Sequence, residues 1–277
     1  MAYEITGGGT LDYHPCRYGQ SKLVFRGPRR KLDGNFCAVL GGNETYGRFI
    51  ERPYPALVEE ATGLRMVNFG CMNAGVDVYL NDPGVVDLCA SARVTVVQVM
   101  GAHNMTNRFY AVHPRRNDRF LRASSLLKTI YREVDFTEFH FTRHMLRALQ
   151  ELSPERFEVV ADELKAAWVA RMQLLLRRIP GKTVLLWTAD HAPAAGGAAP
   201  RLDREPILVD RDMIAAVAVH ATETIEVISS PAAREAGNQG MVLSALDEAA
   251  ASELPGPAVH AEVARALAPV LRKMVSA

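Results

Sequence analysis

The sequence has 277 residues, of which 48% are hydrophobic and 23% charged, and its 32 basic and 31 acidic side chains give a formal net charge of +1. This length suits one large domain with a substantial core, and the balanced charge argues against nucleic acid as a partner. The start has no basic segment followed by an apolar run, and no stretch approaches the roughly 20 apolar residues that span a bilayer. We therefore expect a cytoplasmic protein with no membrane span and with reduced, mostly buried cysteines.

Residues 1–35 are rich in Gly, Arg and Pro and predict an extended N-terminal arm. Short apolar or β-branched runs then predict five strands, at 36–40, 65–69, 94–100, 183–187 and 225–229. Apolar periodicity and capping residues predict helices at 54–61, 83–90, 154–178 and 259–275. The aromatic and basic stretch 104–152 has no clean strand, and we interpret it as an insertion with one or two short helices.

Strands that alternate with helices predict a single α/β domain over residues 1–277. We expect a three-layer sandwich with a five-stranded parallel sheet and the helical insertion after strand three. In such sheets ligands bind beyond the carboxyl ends of the strands. The residues that follow each strand are therefore the first candidates for a site.

Four segments at or beyond these strand ends form an ordered set. They read LGGNETYG after strand one, VNFGCMNAG after strand two, VMGAHN after strand three and LPGPAVHAEV at the last helix. In this order they resemble the four marker blocks of the SGNH (GDSL-like) hydrolases. The resemblance implies an SGNH-like fold and ester hydrolysis by a serine, a histidine and an oxyanion hole.

The first block departs from the family pattern GDSxTxG at its catalytic residue. Gly41 matches the first glycine, Gly42 stands at the aspartate position and Asn43 stands at the serine position, while Thr45 and Gly47 match the last two markers. An amide is not a nucleophile for acyl transfer. The site is therefore expected to be degenerate.

The other blocks imply the remaining site residues by position. The resemblance assigns an oxyanion-hole glycine to Gly75, with Gly70 as the alternative, and an amide donor to Asn104, one residue late in its register. It assigns the base to His260 at the start of the last helix. The partner aspartate of that histidine is missing, because Pro257 occupies its position.

The sequence is compatible with three functions. The first is an SGNH-like esterase or acyltransferase acting on an acylated glycan or small ester, with Thr45 or Ser230 as a shifted nucleophile or a water held by Asn43 and His260. The second is a non-catalytic glycan-binding or assembly module, in which Asn43 and Thr45 do no chemistry. Its polar pocket would hold sugar hydroxyls through Asn43, Glu44, Asn73, Asn104 and His260, with Gly42 as a further ligand-binding residue.

The third function is a transferase that uses a phosphate or sulfate donor, with Arg48 replacing the lysine of a phosphate-binding loop. Guanidinium groups suit anions, and we predict an anion site at Arg108, Arg115, Arg116 and Arg119. Asp190 and His191 follow strand four and could form a dyad. The sequence indicates no metal site and no cofactor, and leaves a homo-oligomer open.

Overall fold

The computed structural model describes residues 11–276, so the first ten residues of the predicted arm lie outside it. All five predicted strands are confirmed as one parallel sheet. In chain order these strands are β1 (Cys37–Leu40), β2 (Met66–Asn68), β3 (Val94–Gln98), β6 (Lys182–Ala189) and β7 (Glu223–Ile228).

The strands lie in the order β2-β1-β3-β6-β7, and every neighbouring pair is parallel. From β1 the chain moves to β2 on one side and then crosses back to β3 on the other. The strand order therefore reverses between β1 and β3, which is where an open α/β sheet leaves a crevice at its carboxyl edge.

Helices cover both faces of the sheet, as the alternating pattern predicts. One face packs against two helices, α2 (Tyr54–Thr62) from the first part of the chain and α11 (Pro257–Ser276) from the last part. The other face packs against α3 (Val76–Leu80), α4 (Pro83–Ala90), α7 (Pro154–Arg178) and α8 (Arg211–Ala218). Shorter helices are α1 (Asn43–Tyr46), α5 (Ser125–Ile130), α6 (Thr142–Leu152), α9 (Pro231–Ala236) and α10 (Glu248–Ala251).

Capping residues set the ends of the predicted helices. The Ser153 side chain accepts a hydrogen bond from the Arg156 N–H at the start of α7, and Asp82 caps α4 in the same way through Val85. Gly63 ends α2 with a φ of +73°, in the left-handed region that favours glycine. The four long predicted helices are therefore confirmed to within about two residues.

The prediction that 104–152 contains no strand is wrong. This stretch holds an antiparallel hairpin of β4 (Tyr110–His113) and β5 (Arg116–Ala123), in addition to helices α5 and α6. Two register shifts interrupt the hairpin, and the buried positions of β5 are Asn117, Phe120 and Ala123, three residues apart. This spacing, with a polar residue among the buried ones, hides the two-residue alternation of a strand.

Residues 11–35 contain no helix and make one isolated antiparallel bridge, between Cys16 and Phe25. Arg26 in this segment is buried and donates hydrogen bonds to the backbone carbonyls of Gly47 and Glu51. All four cysteines are free thiols, and all but Cys16 are buried. Within residues 11–276, no helix combines the length and apolar character needed to cross a bilayer.

Candidate functional site

A cleft of about 360 Å³ opens at the carboxyl edge of the sheet, beside the point where the strand order reverses. Five residues predicted from the strand ends line this first cleft: Gly42, Asn43, Glu44, Asn73 and Asn104. The parallel sheet thus brings together residues that are up to 62 positions apart in the sequence. The volume is in the range of small-molecule pockets.

Asparagine side chains form the first wall of this cleft. Asn43 Nδ2 donates to Asn73 Oδ1 (2.9 Å), and the Asn73 backbone N–H donates to Asn43 Oδ1 (3.0 Å). Asn104 Nδ2 donates to the Asn73 carbonyl, and Thr142 donates its hydroxyl to Asn104 Oδ1. Each amide is therefore held in one orientation before any ligand arrives.

Gln98, at the end of β3, organises the floor of the cleft. Its buried Oε1 accepts hydrogen bonds from the Gly42 N–H (2.9 Å) and the Thr45 hydroxyl (2.7 Å). Its Nε2 donates to Glu44 Oε2 (2.7 Å). Burial raises the pKa of Glu44, whereas this hydrogen bond lowers it.

The same cleft also carries charged groups and a histidine. Arg143 Nη1 lies 3.9 Å from Glu205 Oε1, and His103 Nε2 lies 4.0 Å from the same oxygen. Burial lowers the pKa of His103 to about 3, so its imidazole is neutral at pH 7. The exposed ring of Phe141 adds an apolar surface to the same cleft.

A second cleft of about 400 Å³ adjoins the first beyond the ends of β6 and β7. Asp190, Ser229 and Arg234 line it. The predicted Asp190–His191 pair is present there, with His191 Nδ1 2.6 Å from Asp190 Oδ1. The two clefts share lining residues, so they form one groove along the carboxyl edge.

A family model described as a domain of unknown function, DUF6473, matches residues 1–275. The chain belongs to the DUF6473 family. A search of curated proteins gave no match.

In this DUF6473 domain, Thr45 and His260 lie behind the first cleft and not on its surface. Thr45 is fully buried, and its hydroxyl bonds to Gln98 and to the Tyr54 hydroxyl (2.7 Å). His260 is 2% exposed, stacks on the Tyr54 ring and accepts the Tyr54 N–H at Nδ1 (3.1 Å). Burial lowers the pKa of His260 to about 3. Tyr54 thus contacts both His260 and Thr45 of the turn that follows β1, and His260 does not line the cleft.

Both glycines considered for the oxyanion hole have backbone N–H groups that already donate. The Gly75 N–H donates to Asn117 Oδ1 (3.2 Å), and the Gly70 N–H donates to Asn68 Oδ1 (2.8 Å). Gly75 instead allows close packing, because its Cα lies against the backbone of Asn104. This contact joins the loop after β2 to the loop after β3.

The predicted anion-binding arginines occupy three different environments in the DUF6473 domain: they are Arg108, Arg115, Arg116 and Arg119. Arg108 pairs with Glu163 on α7, with 2.9 Å between Nε and Oε2. Arg119 lies over the ring of Phe141, with its Nε buried and unpaired among the described residues. Arg115 and Arg116 are exposed at the turn of the hairpin.

Sequence reasoning missed several residues of the groove: Gln98, Asp118, Arg143, Glu205 and Glu253. Only Gln98 could be recognised from the sequence, because it is the one amide side chain within the otherwise apolar end of strand three, VTVVQVM. A buried polar side chain at that position needs partners, and the turn after β1 supplies them. The others come from β5, from α6 and from loops, where no motif marks them.

Proposed function

We propose that this DUF6473 domain is an SGNH-like binding module that holds a polyhydroxylated, glycan-type ligand in the first cleft without hydrolysing it. One observation carries the proposal. Asn43, at the position of the catalytic serine of SGNH hydrolases, is fixed in a reciprocal hydrogen-bonded pair with Asn73. An amide pair of this kind recognises ligands and has no nucleophile to offer.

The amide wall retains hydrogen-bonding capacity for a ligand. Each asparagine NH₂ group has two hydrogens and each amide oxygen has two lone pairs, and the internal pairings leave part of both unused. Sugar hydroxyls donate and accept, so they match such a surface. The Phe141 ring, 43% exposed, gives an apolar surface for the C–H side of a sugar ring.

Two features argue against acyl transfer at this site. A shifted nucleophile would need an accessible hydroxyl, but the Thr45 hydroxyl is buried and already bonded to Gln98 and Tyr54. Ser230 is committed as the cap of α9, where its Oγ accepts the Ala233 N–H. A general base must reach the proton that it removes, and His260 is enclosed against Tyr54.

The relationship to SGNH hydrolases is part of the proposal. It is supported by the order of the strand-end segments in the sequence, by the parallel five-stranded sheet, and by the placement of His260 next to the turn that follows β1. A phosphate or sulfate donor fits less well. The candidate Arg48 lies 3.7 Å from Asp247, and carboxylates line the same cleft.

A glycan array, followed by titration calorimetry with the tightest ligand found, tests this function. We expect Asn43→Ala to weaken binding by about tenfold or more, because two ordered amide contacts are lost. Asn35→Ala is the matched control, since Asn35 is exposed at the amino end of β1, on the opposite edge of the sheet. An array without any bound glycan, or equal affinity of both variants and the wild type, would overturn the proposal.

A further inference from the structure

The point where the two clefts meet is rich in carboxylates. Five residues line both clefts: Glu44, Arg143, Glu205, Glu253 and Leu254. Three are acidic and one is basic, so the formal charge in the middle of the groove is negative. This is the opposite of the anion site that the arginine-rich insertion predicts.

The protein's own groups neutralise this charge only in part. Arg143 Nη1 is 3.9 Å from Glu205 Oε1, beyond hydrogen-bonding distance, and Arg143 Nε donates to the Leu202 carbonyl. Glu44 accepts a hydrogen bond from the uncharged amide of Gln98. Burial raises the pKa of both Glu44 and Glu205, and the charge of Glu205 raises that of Glu44 further.

A second, independent observation is that the buried side chain of His103, beside these acids, has a nitrogen without a hydrogen-bond partner among the described residues. Its side chain lines the first cleft and is nine-tenths or more buried, with 6% of the residue exposed. Its Nδ1 has no hydrogen-bond partner among residues 11–276, and its Nε2 faces Glu205 Oε1 at 4.0 Å. Nε2 is beyond hydrogen-bonding distance from Glu205, so a ligand group in the cleft can bond to it, whereas the buried Nδ1 lies beside Gly101.

Neutral imidazole and carboxylates share one property: they accept hydrogen bonds. A ligand group that satisfies both must donate several hydrogen bonds and should carry positive charge. A protonated primary amine has three donors and one positive charge, and charge-assisted hydrogen bonds to carboxylates are among the strongest in proteins.

We propose that the ligand carries a protonated primary amine, which binds where the two clefts meet, between Glu44, Glu205 and Glu253 and beside His103. This inference rests on the proposed function and narrows its ligand class to amino sugars. It replaces the anionic ligand expected from the arginines of the insertion. The sugar hydroxyls would then lie against the asparagine wall of the first cleft.

Titration calorimetry on the full chain with three probes tests this inference. The probes are a β-1,4-linked glucosamine tetramer, the matching N-acetylglucosamine tetramer, and spermidine, at a pH where the amines are protonated. We expect the glucosamine tetramer to bind at least about tenfold more tightly than its acetylated counterpart. We expect Glu205→Gln and Glu253→Gln each to remove most of that difference, because both substitutions keep size and remove charge.

Glu158→Gln is the control, since it removes the same charge from an exposed position on α7, outside the groove, and thermal unfolding checks that each variant is folded. Equal affinity for the two tetramers would overturn the amine inference and leave the proposed function standing. Binding of spermidine as tight as that of the glucosamine tetramer, abolished by Glu205→Gln, would support the amine site and overturn the glycan function. Absence of binding by all three probes would overturn the amine inference, and the glycan array then decides the proposed function separately.

Discussion

Gly75→Ala is expected to prevent folding, or to lower the free energy of unfolding by at least about 3 kcal/mol. A Cβ on Gly75 would overlap the backbone carbonyl of Asn104, and a backbone group has no rotamer that relieves the clash. The φ of Gly75 is −105°, which any residue adopts, so the cost is steric and not conformational. The loops after β2 and β3 would have to separate, and the first cleft would lose its asparagine wall.

Gly181→Ala is the matched control for this substitution. A Cβ there would lie 3.6 Å from the Ala92 carbonyl, which is an ordinary contact, so we expect a change within about 1 kcal/mol. Urea unfolding followed by the fluorescence of the buried Trp168 and Trp187 measures both variants. If Gly75→Ala were as stable as the control, the two loops would not be in contact as described.

His260→Phe is expected to reduce the free energy of unfolding at pH 7 by about 1–3 kcal/mol. Phenylalanine keeps a ring that can stack on Tyr54 but lacks the nitrogen that accepts the Tyr54 N–H. That N–H belongs to the first turn of α2, where no carbonyl within the helix is available to it. The substitution leaves a buried donor unpaired.

The effect of His260→Phe should depend on pH in a defined direction. Burial lowers the pKa of His260 to about 3 in the folded protein, against about 6.5 in the unfolded chain. The unfolded state then binds more protons between these values, so the wild type loses stability as the pH falls from about 6.5 towards 3, by up to about 1.4 kcal/mol per pH unit for this group. The variant lacks this loss, and its deficit should shrink with acidification.

Thermal unfolding from pH 7 to pH 4 measures this convergence, with His144→Phe on the exposed side of α6 as the control. His103 also has a pKa lowered to about 3 and contributes equally in both proteins. A constant difference between wild type and His260→Phe across this range would show that His260 is not held neutral by burial.

The fold was largely predictable because its signals are local. The β-branched run at 94–97, the serine cap at 153 and the glycine at 63 each act within a few residues of chain. The hairpin at 110–123 was not predicted, because bulges and the buried Asn117 remove its alternation. Asn117 is buried for a long-range reason, since its Oδ1 accepts the N–H of Gly75.

The site was predictable only where it follows from the strand ends. The rule for parallel sheets correctly placed Asn43, Asn73 and Asn104 on one cleft. Position alone could not show that Thr45 and His260 are buried, because their burial depends on Gln98 and Tyr54, which approach from other elements. The carboxylates Glu205 and Glu253 lie in loops that only the three-dimensional structure brings to the groove.

Ester turnover by the wild type and by Asn43→Ser tests the central claim, that this groove binds and does not hydrolyse. With p-nitrophenyl acetate, we predict that neither protein releases p-nitrophenol faster than Asn43→Ala, because a serine at position 43 would still have no accessible base in the buried His260. Turnover by Asn43→Ser that disappears in the Asn43→Ser, His260→Phe double variant would contradict the account. Wild-type turnover that disappears in Thr45→Val would contradict it equally.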